Sequence, residues 1–221
     1  LLTSCVILLL TACGLSSPDP EELLLRANQS LEQGDYRSAV TDFKTILQSQ
    51  PDNFVVRKSL GKLYLNMNLV AAAKKELSEA LKLSPGDADI YPLLSKSLLL
   101  TNDEKRLTSL ALPASLNDKQ KSLINAYQAI ALLKIGEPGA KLLLDRALSL
   151  DSENSEALLG LAMEKSLNGD IASAKSWVSK ALKLDSGDEF RLWNYLGYLE
   201  TLGGDYSAAE EAYTKAIEIG Y

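Results

Sequence analysis

Residues 193–216 read WNYLGYLETLGGDYSAAEEAYTKA, and this stretch decides the architecture. Gly204-Asp205-Tyr206 ends one helical run and restarts another, and Ala209 and Ala216 follow on the new run, seven residues apart. The same break recurs as Gly34-Asp35-Tyr36 with Ala39, and as Gly169-Asp170-Ile171 with Ala174. Further alanines stand seven apart at Ala73/Ala80, Ala140/Ala147 and Ala174/Ala181. Ala39 to Ala73 and Ala140 to Ala174 are both 34 residues, Ala174 to Ala209 is 35, and Pro51 to Pro85 is again 34. A small residue at a fixed place after each restart marks where two helices touch. A period near 34 residues with a helix–turn–helix inside it predicts an all-α solenoid, in which each unit packs on its neighbours. Such an array is a binding surface rather than a reaction centre.

Composition agrees. Apolar residues make up 46% and charged residues 24% of the 221, ordinary values for a folded protein. The net charge of −6 and the lack of any long Lys/Arg run argue against a nucleic-acid partner, which needs a basic stripe facing phosphates. There is no histidine, so the commonest general base and metal ligand are missing. The two cysteines, Cys5 and Cys13, both lie in the first apolar segment. The remaining body has no thiol nucleophile and no Cys/His zinc site. The expectation is no catalytic residue, no metal and no cofactor.

Residues 1–12, LLTSCVILLLTA, are uncharged and too short for a membrane span, which takes about 20 apolar residues. They fit the h-region of a signal peptide whose charged start and initiator Met are missing. Leu10-Thr11-Ala12-Cys13 resembles the bacterial lipobox, which implies cleavage before Cys13 and acylation of it. Leu2-Thr3-Ser4-Cys5 fits on paper, but an apolar run would then follow the cut. Cys13 is followed instead by Gly14-Leu15-Ser16-Ser17-Pro18-Asp19-Pro20, a polar tether. The plainer alternative is a cleaved signal peptide with an incidental Cys13. Gly14 is not the aspartate that retains many such lipoproteins at the inner membrane, so the resemblance points to the periplasmic face of the outer membrane in preference to the inner. The expected division is 1–12 signal, 13–19 acylated cysteine and tether, and 20–221 array.

The intervals and small residues resemble those of tetratricopeptide repeats, which implies antiparallel helix pairs stacked as a right-handed α-solenoid of about six units. The expected helices are 20–33 and 36–48, 53–66 and 70–82, 88–100 and 102–110, 117–135 and 138–149, 154–167 and 171–183, and then the sixth pair. The third unit is degenerate: Pro92 sits early in its first helix, its second is short and followed by Pro113, and Ala114 nonetheless falls at the expected register, 34 after Ala80 and 33 before Ala147. Pro138 is expected to begin a helix. Trp193 and Tyr213 are read as core packing. Ile217, Ile219 and Tyr221 end the array without a polar capping helix, and the expectation is that the array continues.

The repeat register places the first helix of each pair on the concave face. Its candidate partner-binding residues are Lys58, Lys62 and Asn66 in the second unit and Asn125 in the fourth. Met163 follows in the fifth, and Arg191, Asn194 and Tyr198 in the sixth. Co-chaperone members of the family clamp a peptide carboxylate with Lys and Asn at set positions. Here Leu24 replaces the lysine while Asn28 fits its neighbour, so that specificity is not expected.

Taken together, Cys13 shortly before Pro20-Glu21-Glu22-Leu23-Leu24, the early Gly34-Asp35-Tyr36, Leu98-Leu99-Leu100-Thr101-Asn102 and Ser155-Glu156-Ala157-Leu158-Leu159-Gly160-Leu161-Ala162 resemble the tetratricopeptide lipoproteins of PEP-CTERM/exosortase systems. That resemblance implies an envelope scaffold that binds protein or peptide partners in exopolysaccharide export. Two alternatives stay open: an adaptor lipoprotein of pilus or outer-membrane protein assembly, and the docking arm of an enzyme whose catalytic domain lies beyond Tyr221.

Overall fold

The computed structural model describes residues 19–184, 187 and 189–220; the signal, Cys13 and most of the tether lie outside them. Every regular element among the described residues is an α-helix. The chain divides into two compact units at Pro51/Asp52.

The first unit holds α1 (Pro20–Glu32) and α2 (Tyr36–Ser49). Pro20 opens α1, where its missing N–H costs nothing, and Asp19 accepts from the Glu21 amide at 3.1 Å. Gly34, at φ 74°, turns the chain, and Asp35 accepts from the Ser38 amide at 3.1 Å to cap α2. Hydrogen bonds from the Ser38 hydroxyl and amide hold the Asp35 carboxyl below its ordinary range. Leu23, Ala27, Ala39, Phe43 and Ile46 are buried. Arg26 grips the buried Asp42 carboxylate with both ends of its fork, Nε to Oδ2 at 2.8 Å and Nη2 to Oδ1 at 2.5 Å.

The second unit holds five helix pairs: α3 (Phe54–Asn66) with α4 (Val70–Leu83), α5 (Ile90–Leu100) with α6 (Glu104–Thr108), α7 (Asp118–Ile135) with α8 (Ala140–Leu150), α9 (Ser155–Leu167) with α10 (Ile171–Ala181), and α11 (Glu189–Gly203) with α12 (Tyr206–Gly220). The five pairs of the second unit stack as the helical-repeat solenoid of tetratricopeptide type that the period predicts, and the first unit is one helix pair of the same type. A left-handed residue recurs at the same place in each turn within a pair: Gly34, Asn68, Asn102, Gly136, Gly169 and Gly204, spaced 34, 34, 34, 33 and 35 residues apart, and the α7–α8 turn adds a second at Gly139. Asparagine tolerates positive φ, so it serves at positions 68 and 102 without a glycine.

A second periodic position explains the close pairing. Ala27, Gly61, Ser95, Ala129, Ala162 and Gly197 recur at the same spacings and all are buried. A Cβ on Gly61 would stand 2.6 Å from Leu77 Cγ, and one on Gly197 would stand 2.7 Å from Tyr213 Cε1. Bare glycine is what lets α3 approach α4 and α11 approach α12. Trp193 is partly buried on α11, with the Lys215 ammonium 4.6 Å from its ring centroid.

The third repeat departs from expectation. Its second helix is only α6, five residues, in place of 102–110. Leu107, fully buried, occupies the register of the first alanine, 34 residues after Ala73. Ala114 lies in an exposed turn, not in a helix. The core it would have closed is filled by Leu116, packed with Tyr91 and Ile124. Extended chain thus replaces the lost helical turns, and Pro113 is compatible with that chain but not with a helix interior. Two further corrections concern helix ends. Pro138 does not begin a helix: Gly139, at φ 103°, occupies the N-cap and α8 starts at Ala140. The helix expected over 171–183 ends at Ala181, with Leu182 as its C-cap.

Between the fourth and fifth repeats a buried polar relay joins the pairs. Asn154 accepts from the Ala157 amide at 3.0 Å, capping α9, while its Nδ2 donates to Ser122 Oγ at 2.7 Å. Ser122 in turn donates to the Ala147 carbonyl at 2.7 Å. That carbonyl is near the end of α8, so Ser122 helps close α8 while Asn154, bonded to it, starts α9.

Candidate functional site

The first helices of the second unit form one layer, with α3 against α5, α5 against α7, and α7 against α9; backbone contacts between α9 and α11 are sparse. Large side chains on α11 span the difference. A groove of about 390 Å³ opens here, lined by residues from four successive first helices and the α5–α6 turn.

One side of the groove is aliphatic: Leu99 and Leu100 of α5, Ile130 of α7, and Leu159 and Met163 of α9. The other side is α11, which presents Arg191, Asn194, Tyr195 and Tyr198. These four recur at intervals of three, one and three, so a single helical face carries them. The Tyr195 and Tyr198 rings lie 5.7 Å apart at a tilt of 34°. Tyr198 is 46% exposed and available to a partner. Burial pushes the Tyr195 phenol up, with a hydrogen bond to Ser166 acting in the opposite sense.

Both cations in the groove are engaged within the fold. Lys134 Nζ lies 2.6 Å from Glu104 Oε1 and donates to Asn102 Oδ1 at 2.7 Å. The hydrogen bond from Lys134 holds the Glu104 carboxyl below its ordinary range. Arg191 is ion-paired with the buried Glu156. The groove is therefore closer to electrically balanced than its cation content suggests, and its recognition surface is aliphatic and aromatic, rimmed by amide and hydroxyl.

Of the residues assigned to the concave face from sequence, Met163, Arg191, Asn194 and Tyr198 converge on this groove. Lys58 and Lys62 line a separate hollow with Asp89, Pro92, Leu93 and Gln120. Lys58 is neutralised there by Asp87 at 2.6 Å, with Asp89 at 3.9 Å. The basic spot thus reduces to Lys62, which has no ion-pair partner among the described residues. Asn66, at the end of α3, is exposed and lines neither hollow. Asn125 is only 6% exposed, since α7 is packed between α5 and α9, and does not line the groove. The register alone did not single out Leu99, Leu100, Asn102, Ile130, Lys134 and Tyr195. Lys134 and Leu100 stand two residues before their left-handed turn residues, and that offset locates them once Asn102 is recognised as the partner of Gly136.

Among the described residues no cluster of three or more Asp, Glu, His or Cys is placed to hold a metal ion, and no helix is long and apolar enough to cross a membrane.

Comparison with known proteins agrees with the fold. Residues 30–97 match one model of the tetratricopeptide repeat and residues 168–220 match another. The chain carries tetratricopeptide repeats. Among solved structures, a tetratricopeptide repeat protein from Parabacteroides merdae aligns over 90% of this chain and 79% of its own, with 14% identity and a TM-score of 0.61. PilW, a widely conserved type IV pilus biogenesis factor, aligns over 87% of this chain and 90% of its own, with 21% identity and a TM-score of 0.53. At these identities the likeness is one of fold. No curated protein matches the sequence.

Proposed function

We propose that the chain is a non-catalytic protein-binding scaffold, held at the bacterial envelope by a lipidated Cys13, and that its concave groove takes a peptide segment of an export or assembly partner. The observation that carries this reading is the convergence of Met163, Arg191, Asn194 and Tyr198 with the leucines of α5 and α9 on one groove. An aromatic pair beside an aliphatic wall is the composition of a binding hot spot, where burial of a few large side chains supplies most of the affinity. The lipobox-like Leu10-Thr11-Ala12-Cys13 and the tether supply the anchor, and Gly14 favours the outer membrane. The resemblance to PEP-CTERM/exosortase lipoproteins supports exopolysaccharide export as the process served.

The test is retention of partners by the anchored full-length protein in its native host, comparing wild type with the double variant Tyr198→Ala/Met163→Ala. Both side chains are partly exposed, so the fold is expected to tolerate their loss, and unchanged circular dichroism and melting check this. Loss of a hot-spot aromatic costs about 2 kcal/mol or more, so retention is expected to fall by roughly tenfold or more. Equal retention by the two proteins would remove the groove from the account. Polysaccharide-export proteins among the retained set support the export role; pilus or outer-membrane assembly proteins would replace it.

A further inference from the structure

We infer that the edge formed by the within-pair turns of the fourth, fifth and sixth repeats docks a basic amphipathic helix of a partner protein, laid along the array. This edge is distinct from the groove and does not depend on what the groove holds.

Two features recur at these turns. An exposed aliphatic side chain stands one or two residues before the left-handed residue: Ile135 (42% exposed) before Gly136, Leu167 (67%) before Gly169 and Leu202 (50%) before Gly204. An exposed acid follows it directly: Glu137, Asp170 and Asp205. These acids have no ion-pair partner among the described residues, whereas Asp103, at the same place in the third repeat, is taken by Lys74 at 3.4 Å. Hydrogen bonds from the Ser173 side chain and amide hold the Asp170 carboxyl below its ordinary range, so it is charged at neutral pH. Lys165, whose charge also favours ionised Asp170, offsets one acid of the three. Lys134 and Lys175 are already paired with Glu104 and Glu200, so the edge keeps a negative excess.

The turns lie side by side. Helix α7 packs on α9, and a Cβ on Gly203 would stand 3.9 Å from Ile171 Cγ2 at the start of α10. Leu167 is the most exposed of the three aliphatics although a whole helix pair follows it. These side chains are therefore bare because of where the turns sit, and not because a neighbouring repeat is missing.

The spacing selects the occupant. Packed helices lie about 8–10 Å apart, which sets the step from one turn to the next. Seven residues of α-helix rise about 10.5 Å and return to nearly the same face. Three residues of strand cover about 10 Å but end on the opposite face, so a strand cannot present one row to this edge. A polyproline II chain matches the step but docks through aromatic grooves, and these rungs are aliphatic. Anionic lipid would be repelled by the acids. The occupant is thus a helix with an apolar residue at every seventh position and Lys or Arg along one flank.

The test titrates the 221-residue chain into a fluorescently labelled synthetic peptide of about 18 residues, with Leu at every seventh position, Lys on one flank and Ala elsewhere. Saturable binding that weakens with salt is expected. Ile135→Ser/Leu167→Ser/Leu202→Ser is expected to weaken it by roughly tenfold or more, since three apolar contacts are lost. Glu137→Gln/Asp170→Asn/Asp205→Asn is expected to weaken it several-fold and to flatten its salt dependence; asparagine still caps α10 and α12. Tyr198→Ala/Met163→Ala is expected to leave it unchanged, which separates failure of the edge from failure of the groove. Circular dichroism checks that each variant is folded. No saturable binding, equal binding of a scrambled peptide of the same composition, or full binding after the three serine substitutions overturns the inference. So does loss of binding in the groove variant, because the peptide would then sit in the groove. Sedimentation that shows a dimer dissociated by the three serine substitutions also overturns it, because the edge would belong to a second copy.

Discussion

Leu144→Ala is expected to destabilise the second unit by about 2–5 kcal/mol, the range for removing a buried leucine where the surroundings collapse only in part. Leu144 is fully buried on α8, in a cluster with Ala126, Ala129, Ala147, Ala157 and Leu161. Its fully buried neighbours are mostly alanines, which cannot fill the cavity, while Leu132, Leu133, Leu143, Leu148 and Trp177 pack on the same cluster and can move into part of it, so a cost near the middle of the range is expected. The same leucine explains a glycine. A Cβ on Gly160 of α9 would lie 2.5 Å from Leu144 Cδ2 and 3.4 Å from Ile130 Cγ1. Gly160→Ala alone is expected to cost about 1–3 kcal/mol through overpacking, less the roughly 1 kcal/mol that alanine contributes in a helix interior. In the Leu144→Ala background the obstacle is gone and only the propensity gain is left, so Gly160→Ala changes from destabilising to stabilising. Urea denaturation of the four proteins measures this coupling directly. Strict additivity would mean that the α8–α9 contact is not the one described.

Cys13→Ser is expected to move the protein from the membrane fraction to the soluble fraction. Each buried methylene of an acyl chain contributes about 0.8 kcal/mol to membrane attachment, so several chains on one cysteine hold essentially all of the protein. Among the described residues no helix could replace that anchor by crossing a membrane. Serine cannot form the thioether, so the proposed attachment would be removed by one oxygen-for-sulfur exchange. Fractionation with metabolic labelling by a clickable fatty acid reads both halves of the claim. Label on Cys5 in place of Cys13, or membrane association that survives Cys13→Ser, would contradict the lipid-anchor reading.

What the sequence could reveal follows from how each feature is encoded. The helix pairs were legible because their turns and close contacts depend on glycine and alanine, residue types with few substitutes. Where a substitute exists the signal is lost: Asn68 and Asn102 adopt positive φ, and Leu107 takes an alanine's place in a repeat whose second helix has shrunk to five residues. Leu116 fills that gap from an irregular segment, and no helical period predicts its position. The candidate site shows the same division. Met163, Arg191, Asn194 and Tyr198 could be brought to one groove because helical register alone orients them. Lys58 could not be judged that way, because Asp87 reaches it from the connection between repeats, 29 residues away in sequence. Asn125 keeps the register but is covered by the neighbouring first helices, a property of the stacked layer and not of its own helix.

The central claim is that the concave groove, and not the outer surface, holds the partner. The most direct measurement is site-specific photo-crosslinking in the native host, with a benzophenone amino acid at position 198 in one strain and at position 142 in another. Tyr198 faces the groove, and Leu142 is 73% exposed on the second helix α8. Discrete crosslinked partners from position 198 and none from position 142 are the predicted result. The same partners from position 142, with none from position 198, would place binding on the outer surface and contradict the account.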